Sequence, residues 1–154
     1  MKTTRIKQHI QAPRPAVYQT LLDPAAVAEW KVPDDMTCVI HAFEAWQGGA
    51  IRVSLTYESP TGAGKTTSST DTYHGRFVKL VPNEQVIEVD EFETVDPAMG
   101  GEMSITMDLV DAEGGTDLFV THENLPEGLS PEDNEIGWRL SLAKLAALLE
   151  RGKA

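Results

Sequence analysis

Two side chains with acid–base chemistry lie where strand alternation places them beside an apolar face. Tyr57 follows Val53 and Leu55 at the two-residue period of a strand, so its hydroxyl is expected in or beside the interior. His122 continues the apolar face of the last predicted strand, which carries Leu118 and Val120. A phenol and an imidazole in a shielded interior can donate hydrogen bonds or exchange protons with a ligand. His122 is equally compatible with a histidine that a backbone partner satisfies at the strand end.

A third acid–base candidate, Glu91, depends on which face of its strand points inward. Glu91 shares a face with Ile87 and Val89, whereas Val86 and Phe92 lie on the opposite face. If Ile87 and Val89 point inward, Glu91 is a carboxylate at the wall of the interior, and burial would raise its pKa. The alternative is a solvated acid near the end of a strand.

Other catalytic and metal-binding signatures are missing from the sequence. Cys38 lies mid-strand without a cue for a basic neighbour, and no pair of histidines has the helical spacing of a zinc site. The segment 59–66, SPTGAGKT, differs from a phosphate-binding loop only in its first residue, but a stretch rich in Thr and Ser follows it instead of a helix. We therefore expect no metal, no cofactor and an exposed hairpin tip at Lys65.

Flexible and aliphatic side chains make up the rest of the expected interior. Met103 and Met107 share one face of a predicted strand, where two thioethers suit either an adaptable pocket wall or ordinary core packing. The other residues expected to line a cavity are Val53, Leu55, Tyr73 and Leu142.

The elements that must position these residues follow from the periodicity of the chain. A first strand over residues 3–11 stops at Pro13, and two short helices follow, Arg14 to Leu22 and a second one reaching Trp30. Turn signals then separate six segments of period two, whose short connections favour antiparallel pairing. These segments are Thr37 to Phe43, Ile51 to Tyr57, Thr72 to Leu80, Val86 to Phe92, Met103 to Val110 and Thr116 to His122.

A single long apolar helix closes the sequence. Ser130 and Pro131 form its expected start. The apolar residues expected to carry the helix to Glu150 are Ile136, Leu140, Leu142, Leu145, Ala146, Leu148 and Leu149. The sequence shows no linker and no internal repeat, so we expect one α+β domain over residues 1–154 with seven antiparallel strands curved around this helix.

Three segments resemble one protein family across essentially the whole chain. They are the motif I-x-A-P-x-x-x-V-Y-x-x-L-L-D-P-x-x-x-x-x-W from Ile10 to Trp30, the turn at Gly48 and Gly49, and G-W-x-x-x-L-x-x-L from Gly137 to Leu145. They are similar to the homologues of the activator of heat-shock protein 90 ATPase, within the START-like superfamily called SRPBCC. Many relatives have an Asp and an Arg ahead of the Gly-Gly turn, where this chain has Glu44 and Trp46.

The resemblance implies a helix-grip fold with a cavity between the sheet and the long helix, and no single activity. Members include chaperone co-factors, lipid carriers, polyketide aromatases and proteins that bind toxic natural products. In related folds the segments at Trp30 and Trp138 border the open end of the grip, so both indoles are expected either at a ligand entrance or as core anchors.

Charge and composition limit the partners. The formal net charge of −11 disfavours nucleic acid and anionic lipid, which attract clustered Lys and Arg. A lone cysteine, no signal-like start and no long apolar run favour a cytoplasmic location.

Three functions are compatible with these observations. The first is non-catalytic binding of a small apolar or aromatic ligand, because the sequence predicts an apolar lining and no catalytic constellation. The second is a protein-interaction module that contacts a chaperone, another partner or a second copy of the chain through its acidic surface. The third is a cyclase or hydrolase-like enzyme that uses Tyr57, Glu91 or His122 as acid or base.

Overall fold

The structure, a computed structural model, describes residues 2–32, 36–57 and 70–151, and at Tyr57 it describes the backbone alone. The hairpin expected around Lys65 therefore lies outside the described residues. The elements within these ranges are β1 (Thr3–Ile10), α1 (Arg14–Leu21), α2 (Pro24–Trp30), β2 (Met36–Phe43), β3 (Ala50–Tyr57), β4 (Thr70–Val81), β5 (Gln85–Phe92), a 3₁₀ turn (Pro97–Met99), β6 (Met103–Ala112), β7 (Gly115–Glu123) and α3 (Pro131–Arg151).

Local chemistry explains where these elements begin and end. Pro13 precedes α1, and Asp23 caps α2 by accepting a hydrogen bond from the Ala25 amide at 3.0 Å. Asn83 and Gly114 have positive φ values of 65° and 78° in the turns that join β4 to β5 and β6 to β7. These turns keep successive strands adjacent and antiparallel.

The described strands form one antiparallel sheet in the order β1-β7-β6-β5-β4-β3-β2. Strands β2 to β7 follow one another as a meander, and β1 joins the far edge by pairing with β7, where Ile6 lies opposite Val120. The α+β helix-grip fold predicted from the sequence is thus confirmed, with two short helices after the first strand and the long helix packed on the concave face.

The core lies between that concave face and the three helices. Its largest fully buried side chains come from every layer: Ile10, Trp30, Phe77, Leu118, Leu142 and Leu145. The buried stripe of α3 includes Trp138, Leu142 and Leu145, whereas Ile136 and Leu140 are exposed on its outer side. Of the apolar residues expected to carry this helix, those two therefore do not contribute to the core.

Candidate functional site

The N-terminal half of α3 and the concave face of the sheet enclose a cavity of about 290 Å³. Asp133 and Gly137 belong to its wall and are exposed, so the cavity opens to solvent beside the first turns of α3. The wall comprises Lys31, Leu55, Asp71, Tyr73, Asp90, Phe92, Met103, Ile105, His122, Leu129, Asp133, Asn134, Gly137, Trp138 and Ser141.

A buried ion pair lies at the polar side of this cavity. Lys31 directly follows α2, and its Nζ is 3.0 Å from Oε1 of Glu88 on β5. The side chains of Lys31 and Glu88 are 15% and 4% exposed. The Lys31 ammonium also lies 5.7 Å from the ring centroids of both Tyr73 and Trp138, within the range of a cation–π contact.

The pair perturbs the titration of both partners. Burial alone would lower the pKa of Lys31, but the negative charge of Glu88 outweighs burial and raises that pKa well above its ordinary range. Burial alone would raise the pKa of Glu88, but the Lys31 charge and hydrogen bonds from Asp90 and Lys31 lower it. Lys31 is therefore a cation and Glu88 an anion at neutral pH.

Asp90 is a second buried carboxyl group beside this pair. It lies two residues after Glu88 on β5, so both side chains point to the concave face, where Asp90 is only 2% exposed. Burial raises its pKa well above the ordinary range, and the Glu88 charge raises it further. Asp90 is therefore the weaker acid of the two, and the two carboxyl groups are joined by a hydrogen bond.

The position of Asp90 depends on the glycine opposite it. Gly75 on β4 pairs with Asp90, and a Cβ placed on Gly75 would lie 2.3 Å from Asp90 Oδ1. Any larger residue would displace the carboxyl group. Among the described residues, Asp90 Oδ1 is buried without a hydrogen-bond partner.

His122, on β7, also lines the cavity and is fixed by three neighbours. Its Nδ1 accepts hydrogen bonds from Trp138 Nε1 and Asn134 Nδ2, each at 3.1 Å, and its Nε2 lies 3.2 Å from Met103 Sδ. Because the indole N–H can only donate, the ring carries its proton on Nε2. Burial, followed by the nearby Lys31 charge, lowers the pKa of His122 to about 4, so the ring is neutral at physiological pH.

The structure brings part of the predicted site together. Leu55, Tyr73, Met103, His122 and Trp138 line the cavity. By contrast, Val53, Met107 and Leu142 are packed in the core, and Tyr57 has no described side chain.

Two placements require correction. Trp30, one of the two indoles considered for the entrance, is 1% exposed and lies behind Trp138 with the ring centroids 6.5 Å apart, so it is a core anchor. Glu91 lies on the outer face of the sheet, where its carboxylate is 3.4 Å from His74 Nε2. The reason is the phase of β5, which buries the face of Val86 rather than that of Ile87 and Val89.

Sequence reasoning missed the charged cluster of Lys31, Glu88 and Asp90. The sequence did carry a signal for the two acids. Glu88 and Asp90 share a face of β5 with the apolar residues Val86 and Phe92, so an inward position of that face would bury both carboxyl groups. Lys31 gave no signal, because it lies just beyond the end of α2 and reaches β5 only through the tertiary fold.

Within residues 2–32, 36–57 and 70–151, no group of three or more His, Cys, Asp or Glu side chains could hold a metal ion. No helix in the described part of the chain is long and apolar enough to cross a bilayer.

A sheet curved around a long helix over an open cavity defines an SRPBCC protein of helix-grip fold. The chain belongs to the family described as Activator of Hsp90 ATPase homolog 1-like protein, whose family model matches residues 11–150. No curated protein matches the sequence.

Solved structures agree with this assignment. A protein from Chromobacterium violaceum is 32% identical over 97% of both chains, with a TM-score of 0.86. A protein from Rhodobacter sphaeroides is 19% identical over 97% of this chain and 93% of its own, with a TM-score of 0.81. DynU16, from the dynemicin biosynthetic locus, is 20% identical over 99% of this chain and 48% of its own, with a TM-score of 0.69.

Proposed function

We propose that the protein binds a small apolar or aromatic molecule in the cavity beneath α3, without catalysing a reaction on it. The observation that carries this proposal is the cavity of about 290 Å³, open to solvent and lined by apolar side chains together with several polar groups. Such a combination is typical of small-molecule sites, where the apolar wall supplies affinity and a few polar groups set the orientation.

The state of the polar groups favours binding over catalysis. Both ring nitrogens of His122 face neighbouring side chains, and its lowered pKa makes it a weak base. The raised pKa of Lys31 keeps its amine protonated, which removes it as a nucleophile. Glu91 lies on the outer face of the sheet and does not belong to the cavity wall.

A second candidate function is contact with a protein partner. The family match supports a chaperone as that partner, and the net charge of −11 supplies an acidic surface for a basic one. Native mass spectrometry of protein taken gently from its own host separates the two functions. A retained small molecule supports the cavity, whereas a co-purified protein with an empty cavity supports the partner.

A titration with the apolar fluorophore 1-aminoanthracene tests the cavity directly. Burial of its rings predicts a dissociation constant in the micromolar range, about 1 to 50 μM, after the cost of association is subtracted. Ser141 lines the cavity from α3, so Ser141→Leu fills space that the probe needs and should weaken binding about tenfold or more.

The matched control lies on the same helix. Ala147 is exposed, so Ala147→Leu adds an apolar side chain to α3 without touching the cavity and should leave the affinity unchanged. Absence of binding below about 100 μM, or equal effects of the two leucine variants, would contradict the proposed function.

A further inference from the structure

We propose that two copies of the chain associate through the outer side of α3, with the two helices antiparallel across a twofold axis. The contact surface is a stripe of four apolar residues on that side, the outer stripe: Ile136, Leu140, Ala143 and Ala147. None of the four belongs to the cavity wall, so this pairing does not depend on a ligand in the cavity.

The outer stripe is apolar where a surface helix is normally polar. All four of its side chains are exposed in the described part of the chain, Ile136 by 58% and Leu140 by 49%. At 3.6 residues per turn they fall within about 60° of arc, on the side of α3 opposite Leu142 and Leu145. That side of an amphipathic helix usually carries charged residues. A contiguous apolar stripe over about three turns is instead typical of an interaction surface.

The spacing and sizes in the outer stripe fit a second, antiparallel copy of the same helix. Its members follow one another at intervals of 4, 3 and 4 residues, the alternation that keeps two packed helices in contact along their length. In an antiparallel pair, Ile136 meets Ala147 of the other copy and Leu140 meets Ala143. Each large side chain therefore lies against a small one. A parallel pair would set large against large and small against small, which packs less closely.

Charges at the two ends of α3 favour the same orientation. The first turn includes Asp133 and the last turn includes Arg151. Helical periodicity places both on one flank of the outer stripe, and in the register that joins Ile136 to Ala147, Asp133 of each copy lies opposite Arg151 of the other. The twofold axis forms this pair twice. A second copy thus offers local charge complementarity, although each chain carries a net charge of −11.

The other flank of the outer stripe limits the affinity. Glu132 there approaches Glu150 of the other copy, although Glu150 is turned towards the Gln11 amide, from which it accepts a hydrogen bond at 3.0 Å. Arg139 is paired within its own helix to Glu135 at 2.6 Å. One helix pair also buries less surface than the roughly 1,200 Å² of a stable interface, so we expect a dimer with a dissociation constant of about 10 to 100 μM.

Sedimentation equilibrium of the parent between about 5 and 500 μM should show a reversible monomer–dimer equilibrium. Leu140→Glu places two carboxylates beside the twofold axis and should raise the dissociation constant at least about tenfold. Val95→Glu is the matched control, because it adds the same charge at a fully exposed position outside α3 and should leave the constant unchanged. Circular dichroism checks that each variant keeps the helix content of the parent.

An exchange of charges tests the register. Asp133→Arg and Arg151→Asp each set like charges opposite one another and should weaken association about threefold or more. The double variant restores both pairs with reversed signs, so its dissociation constant should return towards that of the parent. Recovery of this kind requires that the two positions meet across the axis, because they lie at opposite ends of the helix within one copy.

The outcomes decide the proposal. Weaker association in Leu140→Glu but not in Val95→Glu, with recovery in the double charge variant, supports it. A parent that stays monomeric at about 500 μM overturns it. A dimer that Leu140→Glu leaves intact also overturns it, because the contact would then lie elsewhere, such as the β2 edge of the sheet. A double charge variant that associates no better than the single ones excludes the antiparallel arrangement, and the proposal with it.

Discussion

The two halves of α3 cover the same sheet in different ways. Its C-terminal half places Leu142 and Leu145 on the concave face with 0% exposure, among aliphatic side chains such as Ile10 and Leu118. Its N-terminal half, around Trp138, lies over the cavity and its charged wall. Aliphatic side chains can interdigitate to crystal-like density, whereas charged groups must keep hydrogen-bonding geometry and leave gaps.

Under the proposed function, this difference separates stability from ligand binding along one helix. The aliphatic end contributes hydrophobic burial, the main favourable term in folding. The charged end contributes a buried ion pair, whose net stabilisation is small because the cost of desolvation offsets much of the attraction. A cluster of this kind beside an open cavity is better explained by recognition of a ligand than by a need for stability.

The largest expected effect comes from breaking the charged end. Lys31→Met leaves Glu88 buried without its cation and should lower the free energy of unfolding by about 3 to 5 kcal/mol at pH 8. Urea unfolding measures this change. The double variant Lys31→Met and Glu88→Leu removes both members of the ion pair, so most of the loss should be recovered. A double variant as unstable as the single one would contradict the argument.

At the aliphatic end, Leu145→Ala should lower the free energy of unfolding by about 2 to 5 kcal/mol, because it opens a void in a fully packed site. Met103→Ala, in the wall of the existing cavity, should cost an amount at the low end of that range, because it enlarges a space that already exists and is open to solvent. Equal losses in chemical denaturation would show that the two ends are packed alike.

The pH dependence of stability should reveal the buried state of His122. Its pKa falls from the ordinary 6.5 to about 4 on folding. Between these values the unfolded chain binds a proton that the folded chain does not, so stability declines as pH falls from 6.5 to 4, by up to about 3 kcal/mol. The decline in the free energy of unfolding should be shallower in His122→Gln. If the free energy of unfolding falls with pH equally in parent and variant, His122 is not its cause.

The smallest effect is spectroscopic and maps the cavity against the rest of the molecule. Trp138 lines the cavity, Trp30 lies behind it, and Trp46 is 61% exposed near the Gly48 turn. Ligand binding should therefore change the fluorescence of Trp138 most, that of Trp30 less and that of Trp46 not at all. The largest part of the response should disappear in Trp138→Phe. A response from Trp46 alone would place the ligand outside the cavity.

Local sequence signals were sufficient for most of the fold. The order of strands and helices followed from periodicity and from turn and cap residues such as Pro13, Asp23 and Gly114, whose effects act over a few residues. The resemblance to the SRPBCC class supplied the helix-grip arrangement. Strong alternation in β6 also placed Met103 correctly at the interior.

The charged half of the site could not be read from the sequence in the same way. Both faces of β5 carry apolar residues and acids, so alternation alone left the inward face undecided. The inward face is determined by the register of the sheet, in which Asp90 pairs with Gly75 on one side and with Met103 on the other. Lys31 and Glu88 are 57 residues apart in the chain and meet only when α2 docks on the sheet. The sequence alone determined the elements, since their causes are local, whereas the tertiary structure decided which carboxyl groups are buried, because burial depends on contacts between distant segments.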